Sequence, residues 1–266
     1  MRAVFQKSFG GPEVLEIAET ERPKPLPGEV LVKVHASAVN PVDVFVRSGA
    51  FPLLGEPPFG VGWDISGVVE EAGPGARFEV GDEVYGMPFF PRAATGYAEY
   101  VAAPSRQVAR KPASLDHVHA AAIPLAALTA WQGLVQAAGV KAGDRVLIHR
   151  AAGGVGHFAV QIAKAHGAHV IAMASPARHD FVRGLGANEV IDYRTTDFTE
   201  AVKDADGHCH VGEWRGRIFE LIMVEGDRPW GARRRRTRGT GTRWRSSPTA
   251  CGCTSASRSV SARSRN

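Results

Sequence analysis

No cysteine precedes Cys209, and the other two of the chain's 3 cysteines are Cys251 and Cys253. A disulfide framework holding the body of the chain together is thereby excluded, and so is a thiolate metal site within it. No apolar run approaches the roughly 20 residues that a membrane span requires. The opening stretch, MRAVFQKSFGGPEVLEI, has no apolar core of the kind found in secretory signals, so the expected location is the cytoplasm. Lysine is missing from residues 208–266, yet that stretch carries 13 Arg against 4 acids, a net +9. The chain as a whole carries +5, which leaves −4 on the preceding residues. An Arg-rich tail is one route to nucleic acid, through Arg233–Arg236 and their neighbours. Within residues 228–266 the only aromatic residues are Trp230 and Trp244, and no folded module accompanies them, which favours a plain charged tail.

At 266 residues the chain has room for about two domains. Residues 1–112 read mostly as strand. The segments 30–39, 65–73, 79–87 and 97–104 are β-rich and separated by Gly and Pro turns, a spacing that predicts a β-barrel-like domain. From Leu115 the texture changes. Residues 119–138 are Ala-rich and helical, with Pro124 marking a kink or a helix start. Strands at 146–149, 169–174 and 189–193 then alternate with helices after Gly154 and around 177–185, which predicts a parallel sheet over 113–207. A short helix is expected at 199–203. Residues 208–266 hold too few core residues to order themselves and read as a disordered basic tail, apart from strand character at 217–226.

The most informative stretch runs from Arg145 to Gly167. Strand residues lead into Ala151-Ala152-Gly153-Gly154-Val155-Gly156, and Phe158, Ile162 and Ala165 then recur at helical spacing. A helix N-terminus carries unpaired N–H groups and about half a positive charge, which suits a dinucleotide pyrophosphate. Gly153 and Gly154 would let phosphate oxygens approach the backbone, and Gly156 would let the helix pack on the strand. A tight structural turn would give the same residues. From His157 to His179 there is no Asp or Glu, so the acid that usually binds the ribose 2′-OH of NAD is absent.

Several segments in order resemble one family: Asn40-Pro41-Val42-Asp43 through Arg47-Ser48-Gly49, Gly62-Trp63-Asp64-Ile65-Ser66-Gly67-Val68-Val69, Val80-Gly81-Asp82-Glu83-Val84, Gly96-Tyr97-Ala98-Glu99-Tyr100, Ala127-Leu128-Thr129-Ala130 and the glycine turn. Residues 1–206 are similar to the zinc-independent medium-chain dehydrogenase/reductase enzymes, on the quinone oxidoreductase (zeta-crystallin-like) branch. The resemblance implies an α/β plus β fold: a GroES-like β-barrel domain, then a Rossmann domain with a doubly wound parallel sheet, and a cleft between them. It implies NADPH-dependent reduction of quinones, enones or related carbonyl compounds. Zinc-using relatives have a Cys where Val42 stands and Gly-His-Glu where this chain reads Gly62-Trp63-Asp64, so no metal is expected.

The resemblance also assigns residues. Ser175 and Arg178 fall where relatives hold the 2′-phosphate, and a guanidinium suits that group by charge and fork geometry; Arg178 could equally be a solvated helix residue. Tyr193 resembles a residue lining the cofactor pocket, or is a strand-end Tyr. Thr129 resembles a cofactor-contacting Thr. Asn40 is a hydrogen-bond donor near nicotinamide or the substrate carbonyl, or a turn residue before Pro41. Phe45 stands where many relatives carry Tyr; it keeps the ring and loses the hydroxyl, so solvent is the expected proton source. Trp63 walls the substrate cleft or is an ordinary packed aromatic. Arg150 stands where relatives carry a small residue.

The family continues with further strands, a nicotinamide-side turn and a return segment that are not found after residue 206. The Arg/Ser/Cys-rich remainder reads like a frameshifted product following an internal deletion, and the Rossmann domain is expected to be incomplete. An impaired enzyme and a non-catalytic nucleotide-binding remnant are both compatible with this. Relatives are homodimers through the portion that is missing, which puts a dimer in doubt.

Overall fold

The alternating segments build strands, and the Ala-rich segments build helices, largely where the residue pattern puts them. The computed structural model describes residues 1–197 and 222–225, all within one compact unit, Met1–Arg228. In chain order the first elements are β1 (Arg2–Gln6), β2 (Leu15–Glu19), β3 (Glu29–Ala38), α1 (Pro41–Arg47), β4 (Phe59–Gly60), β5 (Asp64–Ala72), β6 (Glu83–Gly86), β7 (Tyr100–Pro104) and β8 (Val108–Arg110). There follow α2 (His117–Ala121), α3 (Pro124–Trp131), β9 (Arg145–Ile148), α4 (Gly156–Ala165), β10 (His169–Met173), α5 (His179–Gly184), β11 (Glu189–Ile191) and β12 (Ile222–Glu225). The expected helix at 199–203 and nearly all of the expected disordered tail at 208–266 lie outside the described residues.

The first eight strands form two antiparallel sheets, ordered β2-β1-β4 and β7-β3-β5-β6-β8. An isolated bridge from Ala3 to Ala98 connects them. The expected barrel is therefore corrected to a pair of sheets that do not close into a ring. The reason is local: α1 and the loop after it occupy the chain up to Pro58, so β4 is 2 residues long and cannot complete the ladder. The strand expected at 79–87 is likewise shortened to Glu83–Gly86, because Gly81 turns the chain at φ +94° first. Alternate residues fill one core, Val30, Val32, Ile65, Val69, Val84 and Val101 among them. A second core gathers Val46, Phe59, Val61, Trp63 and Ala94 beneath α1.

Pro124 resolves as a start. It occupies the first turn of α3, where its missing N–H costs nothing. The helix continues as a π-helical segment, Gln132–Ala138, which Gly139 ends at φ +66°. The preceding α2 lies on the first sheet system. His117 brings Nδ1 to 2.8 Å from Ser66 Oγ and Nε2 to 3.4 Å from Glu83. Burial, then the neighbouring His35, pushes the His117 pKa down. This histidine links α2 to the sheet through Ser66 and Glu83.

The second sheet has the order β11-β10-β9-β12. β9, β10 and β11 are parallel, as the alternation predicts, whereas β12 pairs antiparallel with β9 through Ile222↔Ile148. Residues of one parity on the strands, Val146, Ile148, Val170 and Ala172, pack with Ala159, Val160 and Ala163 of α4 and with Ala130 of α3. Residues of the other parity, Leu147, Ile171, Met173 and Ile191, form a separate cluster. Two positions in the turn before α4 are conformationally demanding. A Cβ on Gly156 would collide with the Arg150 carbonyl and lie 2.8 Å from Ala151 Cα. Arg150 itself takes φ +48°, a left-handed conformation that costs a side-chain-bearing residue about 1–2 kcal/mol.

These two positions give opposite expectations. Gly156→Ala destabilises the fold by about 1–3 kcal/mol, because the helix must back away from the strand. Arg150→Gly stabilises it by about 1 kcal/mol, by relieving the backbone. Urea denaturation of both variants checks the signs; a neutral Gly156→Ala would mean that α4 does not depend on that close approach.

Candidate active site

Parallel strands put their C-terminal ends on one edge, and three expected cofactor segments gather there. The loop after β9 holds Gly153 and Gly154, both exposed, and Val155 as the residue before the first turn of α4. The Gly153 N–H donates to the Arg150 carbonyl at 2.8 Å, which closes the turn. The Ala151 N–H donates to the Met173 carbonyl at 2.9 Å, which ties the turn to the end of β10. No side chain caps α4, and the His157 N–H of its first turn is taken by the Gly153 carbonyl at 3.0 Å. A Cβ on Gly154 would meet nothing within 4 Å. The backbone is therefore open on that side, in the manner needed for an anion to approach closely, and the residues fit a dinucleotide pyrophosphate.

After β10, Ser175 leads a short 3-10 turn, Pro176–Arg178, and the Arg178 N–H donates to the Ser175 carbonyl at 2.8 Å. The Arg178 side chain is exposed and makes no ion pair with another described residue. The strand expected to reach 193 ends at Ile191, so Tyr193 lies just beyond it, 52% exposed, with the Arg194 guanidinium 5.8 Å from its ring centre. The Ala174 N–H donates to the Ile191 carbonyl at 3.1 Å and holds this edge together. The sheet thus brings Gly153, Gly154, Val155, Gly156, Ser175, Arg178 and Tyr193 to a single edge.

The expected substrate-side residues are organised by a group that sequence reasoning read only as a departure from a metal motif. Asp64 opens β5 and is 0% exposed. Its Oδ2 accepts from Asn40 Nδ2 at 2.9 Å, and its Oδ1 accepts from the Leu125 N–H at 3.0 Å. One carboxylate therefore holds the first residue before α1 and the first turn of α3, which has no side-chain cap of its own. Asn40 also donates its backbone N–H to Asp43 Oδ2 at 2.7 Å. Thr129 sits one turn along α3 and donates Oγ1–H to the Leu125 carbonyl at 2.7 Å, keeping its lone pairs free to accept. Since α3 packs on α4, Asp64 links Asn40 mechanically to the glycine-turn helix. Glu70 and Glu71 share its strand, so no local pattern sets it apart, and its two donors lie 24 and 61 residues away along the chain.

Phe45 lies on the outer side of α1, 54% exposed. Trp63 does not line a cleft. It is 2% exposed, packs in the core beneath α1, donates its indole N–H to the Arg92 carbonyl at 2.7 Å and meets Phe90 edge-on. The substrate-wall expectation for Trp63 gives way to the packed-aromatic one, because an indole in the zinc-ligand position has apolar neighbours to satisfy it.

Burial dominates the electrostatics here. It pushes the Asp64 carboxyl up to about 7, against the hydrogen bonds from Asn40 and Leu125 and with a further push from Asp43. Burial also raises Asp43. The Tyr97 hydroxyl is raised by burial and then by Asp43 beside it. An acid whose folded pKa lies above its unfolded value stabilises the fold below the unfolded pKa and loses that contribution as pH rises through the folded one. Asp64 therefore removes stability, on the order of 4 kcal/mol at most, as pH climbs from about 4 to about 7. Asp64→Asn keeps an acceptor for Leu125 and should flatten this window. Urea midpoints at pH 5 and pH 8 in both proteins check it; an equal pH slope in the variant would rule Asp64 out as the source.

The comparisons with known proteins agree with this geometry. The family model for the alcohol dehydrogenase GroES-like domain matches residues 26–113, and that for zinc-binding dehydrogenase matches residues 154–211. Human quinone oxidoreductase is 40% identical over 219 residues, covering 80% of this chain and 63% of that protein. The chain thus spans less than two thirds of that relative's length. The structure of the quinone oxidoreductase from Coxiella burnetii superposes with a TM-score of 0.68 at 42% identity, over 76% of this chain and 65% of that one. The Escherichia coli quinone oxidoreductase complexed with NADPH gives a TM-score of 0.68 at 31% identity, over 78% of this chain and 63% of that one. With both halves of the fold matched and the glycine turn in its expected setting, the chain belongs to the medium-chain dehydrogenase/reductase family, alongside its quinone oxidoreductases.

Proposed function

We propose that the protein is an NADPH-dependent oxidoreductase that reduces quinones, enones or related carbonyl compounds without zinc. The single observation that carries this is the shared sheet edge: an open glycine turn at a helix start, with an exposed arginine on the adjacent loop. In this reading residues 1–112 hold substrate and residues 113–207 hold the cofactor. NADPH, when bound, supplies a hydride. The chain's own residues do the rest. Gly153, Gly154, Val155 and Gly156 admit the pyrophosphate to backbone donors. The Ser175 hydroxyl and the Arg178 guanidinium receive the 2′-phosphate, a charge-assisted pairing of a kind worth about 1.5–3 kcal/mol. Tyr193 and the Thr129 oxygen border the same molecule. Asn40 offers an amide N–H to the carbonyl being reduced, Phe45 offers an apolar ring, and water returns the proton. Trp63 supports this wall from behind. Zinc independence draws its support from the absence of any cysteine before Cys209. No helix among the described residues is long and apolar enough to cross a membrane, and the cytoplasm is our proposed location.

A second reading has an observation of its own. In a doubly wound sheet the ligand crevice opens where strand order reverses, and its far wall comes from the next parallel strand. Here the far side of β9 is taken by antiparallel β12. A nucleotide-binding protein without turnover is consistent with that edge. NADPH oxidation with 1,4-benzoquinone or 9,10-phenanthrenequinone separates the two readings. Nucleic-acid binding would rest on 208–266, nearly all of it outside the described residues.

Binding can be dissected apart from turnover. Gly154→Ala should leave stability within about 0.5 kcal/mol, since its Cβ meets open space, yet weaken NADPH about tenfold. Arg178→Ala should weaken NADPH by about tenfold or more and leave NADH within about twofold. Fluorescence titrations read both. Equal losses for the two cofactors would remove Arg178 from the 2′-phosphate, and no binding of either by the parent protein would end the enzymatic reading.

A further inference from the structure

The buried carboxyl at the head of β5 has a chemical property that holding two donors does not use up. Both groups that reach Asp64 do so as donors: Asn40 Nδ2 at 2.9 Å and the Leu125 N–H at 3.0 Å. Its backbone carbonyl is taken separately by Ser37 Oγ at 2.6 Å. An ionised carboxylate is matched to this arrangement. A neutral one is not, because its new O–H faces two groups that can only donate, and a buried donor without a partner costs about 1–3 kcal/mol. The Leu125 N–H is fixed in a helix and cannot change. The Asn40 amide can, because a half-turn about its terminal torsion exchanges its NH2 for its carbonyl oxygen.

We propose that Asp64 is a positioning residue whose protonation decides which end of the Asn40 amide faces inward and which faces the cleft. With Asp64 ionised, the NH2 end is held inward and the carbonyl end is presented outward. With Asp64 neutral, the carbonyl end turns in to accept its proton, and the NH2 end turns outward with two donors. Asn40 is half-buried and heads α1 as its N-cap residue. A ligand carbonyl oxygen is received by the second arrangement and opposed by the first.

The titratable neighbours are few. α1 contributes Asp43, whose Oδ2 is occupied by the Asn40 backbone N–H and whose carboxyl also has the Tyr97 hydroxyl beside it. The segment before β7 contributes Tyr97, whose hydroxyl donates at 3.4 Å to the Ala38 carbonyl and stays protonated, since burial and Asp43 both raise it. β3 and α3 contribute only the Ser37 hydroxyl and the Leu125 N–H to Asp64 itself. No cation is among these groups to hold Asp64 ionised. Its burial-raised value of about 7 means that the exchange falls in the range where both forms are populated.

The amide can be watched without any cofactor. In 15N-labelled full-length protein, the Asn40 side-chain cross-peaks, identified by their loss in Asn40→Ala, should move with pH with a midpoint near 7. In Asp64→Asn they should stay put, because the introduced amide donates to Asn40 at every pH as the neutral acid does. Asn40 peaks that are stationary from pH 5.5 to 8.5 in the parent protein overturn the proposal, and so does an unchanged titration in the variant. The parent titration needs no substitution, so poor folding of the variant cannot hide a negative result. The ligand consequence rests on the oxidoreductase reading. Bound to protein loaded with NADP+, 9,10-phenanthrenequinone should be held about 2–10-fold tighter at pH 6 than at pH 8, and equally at both in Asp64→Asn. A titrating amide with no quinone binding would uphold the switch and count against the reading of the site.

Discussion

A single buried carboxylate does more to organise this molecule than any motif that is visible along the chain. The first sheets and the parallel sheet have separate cores, and each would satisfy its apolar residues without the other. Asp64 spans them, because its two oxygens take one donor from the segment entering α1 and one from the first turn of α3. Removing a carboxylate from water is costly, and the two donors offset only part of that cost. That requirement fixes the register between the two halves more sharply than apolar packing, which tolerates sliding. The same requirement sets the pH response, since the group is held where its charge is least welcome.

The glycine turn illustrates the complementary strategy, in which affinity comes from leaving things out. Gly154 faces open space, and α4 has no capping side chain. Each omission leaves backbone uncovered by side chains. Gly156 serves the opposite purpose, since its missing Cβ lets α4 approach the Arg150 carbonyl. Two glycines two residues apart thus differ in surroundings, one facing open space and one in close packing, and a substitution separates them by which measurement it disturbs.

Much of the fold was legible because its signals are local. Alternation at 30–39 and 65–73 and the strand–turn–helix from Arg145 gave elements within a residue or two of those found. What was not legible depends on distant partners. Ring closure of the first domain failed because a helix and a long loop displaced strand before Phe59, which no alternation pattern reports. The direction of β12 is a matter of pairing rather than periodicity. The choice between a cleft wall and a packed aromatic at Trp63 stayed open in the sequence, because its place in a motif does not report the neighbours that enclose it. Asp64 was overlooked for the same reason: its donors lie 24 and 61 residues away along the chain, and nothing in its immediate surroundings announces them.

The antiparallel strand on β9 has a bearing on how the protein is made. Ile222 pairs with Ile148 and Glu225 with Arg145, so this flank of the sheet cannot be covered until the chain has been synthesised well past the rest of the sheet. β1 to β8 contain all their partners within the first 110 residues and can assemble as they emerge from the ribosome. β9 and β10 emerge next with one ladder open to whatever strand is nearby. Nascent chains therefore pass through an interval in which the nucleotide-side sheet is formed but unprotected, and the demand for chaperones should be concentrated there.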